Sequence, residues 1–199
     1  HYTTAYELAL ITREALSNEK FKDICSTYKK TIPLNETQGV RLLINHNKLL
    51  RSYDGAIGVK TGFTKKSGRC LVSAADRDGL EFIAVTLNAP DDWRDHAAML
   101  DYGFSAYERV TLYEAGEFCY SYAVSGGSAK TVTATNSEPL VLTLPKGHAD
   151  LCESVCFPQR FEIAPISKGD ELGQLMVSCG TVSASSPLIA SESVERTKR

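Results

Sequence analysis

A lysine, a threonine and a glycine stand together at Lys60-Thr61-Gly62, after the apolar lead-in Ala56-Ile57-Gly58-Val59 and before a second strand-like run, Arg69 to Ala74. A cation among apolar strand neighbours is costly unless it has partners, so Lys60 needs a polar or anionic group to meet it. Thr61 supplies a hydroxyl. Gly62, lacking a side chain, lets another backbone come close to the strand. The triplet alone is three common residues, and an ordinary turn is the competing reading. Its surroundings decide between the two.

The flanking sequence describes how such a strand would be carried. Ala56 to Thr61, Arg69 to Ala75 and Leu80 to Leu87 are β-rich runs separated by turn signals at Lys65-Lys66-Ser67-Gly68 and Asp76-Arg77-Asp78-Gly79, the pattern of an antiparallel meander. The last two runs are nearly all apolar, as in a sheet interior covered on both faces by helices. Asp92 to Tyr107 supplies one cover, with Trp93, Ala97, Leu100 and Phe104 at helical spacing. Upstream, Ala5 to Leu16 has a helical rhythm and Asn18 to Ser26 reads as a second short helix. Thr31 to Leu34 reads as a strand. Val40 to Ile44 with Asn45-His46-Asn47 is apolar and then turn-like by residue type. Asp54-Gly55 shapes the turn into the key strand.

After Val110 the texture changes to short alternating segments: Phe118 to Val124, Thr131 to Thr135, Leu140 to Leu144, Leu151 to Phe157, Phe161 to Ile163 and Leu172 to Val177. Turns at Ser125-Gly126-Gly127, Leu144-Pro145-Lys146-Gly147 and Ser167-Lys168-Gly169-Asp170 punctuate them as in a small all-β domain. The expected organisation is an α+β domain over residues 1–110, a β-sandwich over 111–190 and a polar, fraying tail over 191–199.

With 199 residues, 22 basic and 24 acidic side chains, the chain has no basic patch, so nucleic acid is not an expected partner. No run approaches the roughly 18 to 20 apolar residues of a membrane span. The six cysteines, Cys25, Cys70, Cys119, Cys152, Cys156 and Cys179, form no C-x-x-C pair. Buried free thiols are the first expectation, with a disulfide or a metal as alternatives the sequence does not settle. The four histidines, His1, His46, His96 and His148, are scattered and give no defensible pair with a serine.

Several stretches, in order, carry a resemblance. They are His1-Tyr2-Thr3-Thr4-Ala5-Tyr6-Glu7-Leu8-Ala9, Asn47-Lys48-Leu49-Leu50, Tyr53-Asp54-Gly55-Ala56-Ile57-Gly58-Val59-Lys60-Thr61-Gly62-Phe63-Thr64, Gly68-Arg69-Cys70-Leu71-Val72, Asn88-Ala89-Pro90-Asp91-Asp92-Trp93 and Leu100-Asp101-Tyr102-Gly103-Phe104. Together they resemble the later half of the penicillin-binding domain of low-molecular-mass D-alanyl-D-alanine carboxypeptidases, the family around penicillin-binding protein 5. Ala164-Pro165-Ile166-x-Lys168-Gly169-Asp170-x-x-Gly173 and Pro187-Leu188 resemble the C-terminal domain of the same family.

The resemblance implies a fold, a site and a reaction. Lys60 would stand beside the reacting serine and meet the substrate carboxylate, Thr61 would hydrogen-bond it, and Gly62 would leave room for it. The Thr64 amide would join the oxyanion hole. His46 occupies a position where relatives often carry a Thr or an Arg lining the site, and Arg94 lies near another arginine of some relatives; both are substrate-binding candidates. The family's Ser-x-x-Lys and Ser-x-Asn motifs are expected upstream of His1, so no catalytic residue is expected within this chain and it should be inactive alone. Ser17-Asn18-Glu19-Lys20 and Ser26-Thr27-Tyr28-Lys29 have the first motif's spacing, but one falls where a helix ends and the other just before a strand.

The implied reaction is acyl transfer that trims the terminal D-Ala from peptidoglycan stem pentapeptides, with β-lactams as inhibitors and no metal or organic cofactor. It implies an extracytoplasmic location in the cell envelope, with membrane association through a segment beyond Arg199. The alternatives are a β-lactamase or transpeptidase sharing the Lys-Thr-Gly strand, and a non-catalytic wall-binding or scaffold protein.

Overall fold

The computed structural model describes residues 2–35, 39–158 and 162–197, and the chain divides into two compact units, His1–Ala106 and Tyr107–Arg199. In the first, helix α1 (Ala5–Leu16) begins at a reciprocal cap. The Thr4 hydroxyl accepts from the Glu7 amide at 3.1 Å, and the Glu7 carboxylate accepts from the Thr4 amide at 2.8 Å. Helix α2 (Glu19–Ser26) starts under Asn18, whose side chain accepts from the Phe21 amide. There follow strands β1 (Lys29–Asn35) and β2 (Gly39–Ile44), the single turn α3 (Leu49–Ser52), strands β3 (Ala56–Thr64), β4 (Gly68–Arg77) and β5 (Leu80–Thr86), and helix α4 (Asp92–Ala106).

The three strands β3, β4 and β5 form an antiparallel meander with β3 at its edge. Successive side chains of a strand point to opposite faces. Glu81 reaches Lys22 of α2 at 3.0 Å, while the next residue, Phe82, meets Phe104 of α4 edge-on at 5.0 Å. Helices therefore cover both faces, as the apolar runs require. The α4 face is a small core of Ala75, Ala84 and Leu100, with Tyr53, Phe82 and Phe104 packed against it.

Two elements depart from expectation. Val40 to Ile44, an apolar run with no strand assigned to it from sequence, is strand β2, paired with β1 from Lys29↔Ile44 to Asn35↔Gly39. β3 runs through Gly62, Phe63 and Thr64, which pair with Cys70, Arg69 and Gly68. The hairpin partner extends the strand three residues beyond the expected end at Thr61.

The second unit is all-β: β6 (Tyr107–Tyr113), β7 (Cys119–Ser125), β8 (Thr131–Asn136), β9 (Leu140–Pro145), β10 (Glu153–Pro158), β11 (Glu162–Ile163), β12 (Glu171–Cys179) and β13 (Val182–Ala190). Six of these form one sheet in the order β10-β12-β13-β8-β7-β11, and β6 pairs with β9 in a second. Leu140, Leu142 and Leu144 of β9 share one buried core with Val132, Leu175, Val177 and Leu188 of the larger sheet. Each exposes alternate residues inward, the arrangement of a two-sheet packing.

Several boundaries differ from the sequence reading. The division falls before Tyr107 because β6 pairs with β9. Leu151 belongs to a single 3-10 turn, Ala149–Leu151, ahead of β10. β13 follows where no strand is expected, and Phe161, expected in a strand, lies outside the described residues. The segment from Ser191 does not simply fray. Val194 is buried and exchanges two 2.9 Å backbone bonds with Ile166.

Candidate functional site

Lys60, Thr61 and Gly62 lie on the open side of β3, opposite Val72, Leu71 and Cys70 of β4. Alternation sends Lys60 and Gly62 to the face covered by α1 and α2, and Thr61 to the other. Lys60 is exposed; its ammonium donates to the Thr61 carbonyl, and no carboxylate pairs with it among the described residues. The cation is available to an incoming anion.

The triplet borders two hollows. One, of about 700 Å³, is walled by Leu8, Ile11, Phe21 and Ile24 of the first two helices and by Val72, with Lys60, Thr61, Gly62 and His46 on its rim. The other, of about 400 Å³, joins the triplet and His46 to Phe63, Arg69, Cys70, Asp92 and Trp93. An apolar wall with a few convergent polar groups is the usual make-up of a small-molecule or peptide site.

Gly62 differs from its neighbour glycine, Gly58. A methyl built on Gly58 would come within 2.8 Å of the Cys25 sulfur, so packing against α2 demands a glycine there. A methyl on Gly62 would meet nothing closer than the Cys70 Cβ and carbonyl at 3.8 Å, an ordinary contact. The fold does not need a glycine at 62.

The remaining candidates are dispersed. His46 is exposed and lies on the wall of both hollows. Thr64 closes the hairpin, its hydroxyl accepting from the Ser67 amide at 2.9 Å, and it lines neither hollow. Arg94 is 85% exposed, pairs with Asp91 at 3.7 Å and also lines neither, because it points away on the first turn of α4. The Ser17 hydroxyl donates to the Glu14 carbonyl at 2.7 Å as α1 ends, and Ser26 donates to Asp23 at the end of α2. Neither serine begins a helix with its lysine one turn on.

Sequence reasoning missed two connections. Arg69 of β4 forms a 2.7 Å ion pair with Asp92, whose side chain is almost fully buried and also accepts from the Trp93 amide. That pair forms part of the second hollow's floor. Arg69 reads in sequence only as the start of a strand, and nothing there names its partner.

The second is a serine–histidine contact. His96 of α4 is fully buried, with Nδ1 2.5 Å from the Ser73 hydroxyl and Nε2 2.9 Å from that of Thr86. Burial pulls its pKa down to about 4, against the opposing pull of Asp92 and Asp95. Ser73 is equally buried, so this pair staples α4 to the sheet and is closed to substrate.

All six cysteines are free thiols; Cys119 is exposed and the other five are half-buried, less enclosed than expected. Among the described residues no group of His, Cys, Asp and Glu is placed to hold a metal ion, and no helix is long and apolar enough to cross a membrane.

Comparison with known proteins gives the same order of parts. Residues 1–91 match the family profile described as D-alanyl-D-alanine carboxypeptidase, and residues 107–196 match that of the penicillin-binding protein 5 C-terminal domain. The chain is 33% identical to the D-alanyl-D-alanine carboxypeptidase DacF of Bacillus subtilis over 98% of its own length and 51% of that protein. A penicillin-binding protein 5 from Haemophilus influenzae (TM-score 0.67, 23% identity, 98% of this chain and 58% of that one) shares the fold. So does PBP3, a peptidoglycan synthesis regulatory factor from Streptococcus pneumoniae (TM-score 0.77, 21% identity, 97% and 57%). The chain thus spans about half the length of the relatives it matches. With both profiles matched in sequence order, and the Lys60-Thr61-Gly62 strand inside the first, the chain belongs to the D-alanyl-D-alanine carboxypeptidase family.

Proposed function

We propose that this chain is the substrate-binding part of a penicillin-sensitive, serine-type carboxypeptidase that removes the terminal D-alanine from peptidoglycan stem peptides. The observation that carries the reading is Lys60-Thr61-Gly62 on the open edge of β3, at the rim of an apolar hollow, with a glycine the fold does not require. An extended peptide end pairs along that edge over Gly62. The Lys60 ammonium and the Thr61 hydroxyl take its carboxylate, and His46 lines the approach.

The attacking serine and its lysine belong to sequence that, in the relatives, precedes the part matched here. The serine oxygen bonds to the carbonyl carbon, D-alanine leaves with the proton, and water then hydrolyses the acyl-enzyme. A β-lactam enters the same site and acylates the same serine. Such a substrate puts the protein outside the cytoplasm, in the cell envelope.

A chain extended upstream to include that serine should release free D-alanine from a peptide ending in D-Ala-D-Ala, and the present chain should release none. Release by the present chain alone would refute the assignment. A non-catalytic wall-binding role is the second reading, since the serine–histidine contact of Ser73 and His96 is buried and closed to substrate. It requires that the extended chain bind the peptide without releasing D-alanine.

A further inference from the structure

The all-β unit holds a pair of thiols that the peptidase chemistry does not use. β10 and β12 run antiparallel with Glu153 opposite Ser178, so the next step of the ladder sets Cys152 opposite Cys179, the last residue of β12. Directly opposed residues in such a ladder have Cα atoms about 4.5 to 5.5 Å apart. Bridged cysteines need about 4.4 to 6.8 Å.

Register alone does not bring sulfurs together; both side chains must leave the sheet on one face. Here both do, for Cys152 and Cys179 pack against the same buried core, and the two thiols are near enough to perturb one another. The Cys179 sulfur also lies 3.8 Å from the His148 carbonyl, which fixes it at the strand end. Neither residue is sealed: both are half-buried, within reach of a small reagent. Cys156, four residues along, faces Tyr122 instead.

We infer that Cys152 and Cys179 are a modification site that closes to a disulfide by exchange with a low-molecular-mass disulfide. One thiolate attacks a sulfur of the reagent, forming a mixed disulfide and expelling one thiolate. The second cysteine, as thiolate, attacks the protein-bound sulfur and expels the other. Two electrons pass to the reagent, and the two thiol protons end on the released thiols. Burial, aided by the contact with Cys179, pushes the Cys152 thiol up, so the exchange quickens as the solution is made alkaline. The new bond would tie β10, an edge strand of the six-stranded sheet, to its neighbour β12 across everything between.

The test is to incubate the whole chain with oxidised glutathione at about pH 8.5, near the ordinary thiol pKa, alkylate without reduction, and map the digest by mass. The expected result is one cross-linked pair of peptides containing Cys152 and Cys179, lighter by two hydrogens. C152S and C179S should each abolish it while C156S leaves it, and unfolding of the oxidised chain should shift upward by on the order of 5 °C. Both cysteines alkylated as free thiols, each carrying glutathione separately, or a link from either to Cys156 or Cys119 would overturn the inference. The peptide map of the unaltered chain decides even if a serine variant fails to fold.

Discussion

Gly62 stands opposite Cys70 across the β3–β4 hairpin, and a methyl group added to it would come no nearer than 3.8 Å to any neighbouring side chain or backbone. A glycine at an ordinary strand position lowers strand stability, and the proposed reading assigns this one to the approach of a peptide. Gly62→Ala should therefore leave the melting behaviour within about 0.5 kcal/mol of the parent. In an extended chain that contains the reacting serine, the same change should sharply slow acylation by penicillin. Equal labelling of the two would show that nothing approaches the strand there.

Lys60 is exposed and unpaired with any carboxylate among the described residues, so its removal costs the fold little. Lys60→Ala in the extended chain should lower the acylation rate by about 10² to 10³-fold, the usual loss of one electrostatic donor at a reacting centre. Stopped-flow measurement with a fluorescent penicillin reads this. A change of less than about threefold would remove Lys60 from the site.

Gly58 makes the contrasting case. Its backbone, at φ 153°, lies in a region that disfavours side chains, and the Cys25 sulfur is 2.8 Å from where a Cβ would be. Gly58→Ala should destabilise by about 1 to 3 kcal/mol, because both the backbone and the packing against α2 object. Adding Cys25→Ala should recover part of the loss by removing the 2.8 Å sulfur contact, leaving the backbone share and the longer Cys25 Cβ contact at 3.4 Å. Denaturant unfolding of the four chains in this cycle checks the coupling. Strict additivity would contradict it.

The buried His96 sets a pH dependence whose sign follows from its pKa, held near 4 by burial instead of the ordinary 6.5. Between those values the unfolded chain binds a proton that the folded chain refuses. This contribution is whole above about pH 6.5 and is lost as the pH falls from there through about 4. The melting temperature should drop over that window, and His96→Gln should flatten the drop even if it lowers the plateau. An unchanged slope would show that His96 takes no part in the acid sensitivity.

What the sequence made legible follows strand alternation and turns. The β4 and β5 runs are readable because they are nearly all apolar, and the turn signals at Gly68 and Gly79 bracket the first and separate it from the second. β2 was not, because all six of its residues are exposed and Val40, Leu42, Leu43 and Ile44 show no alternation; only pairing with β1 makes a strand of them. β13 carries Ser183, Ser185, Ser186 and Pro187, poor strand residues that β12 holds in register, while β8 pairs only with Leu188, Ile189 and Ala190 at its end.

The site divides in the same way. Lys60-Thr61-Gly62 is contiguous and declares itself, whereas Arg69–Asp92 and Ser73–His96 each join residues 23 apart whose meeting depends on α4 folding back over the sheet. Arg94 and Asp92 are near neighbours in sequence. The first turn of α4 buries one and exposes the other, and that phase was not readable from residue type.

The most direct test of the central claim is intact-mass spectrometry after incubation with penicillin, on this chain and on one extended upstream of His1. No adduct is expected on the present chain, and a single penicilloyl adduct on the extended one, at a serine preceding His1. An adduct on the present chain, mapped to Ser17 or Ser26, would contradict it.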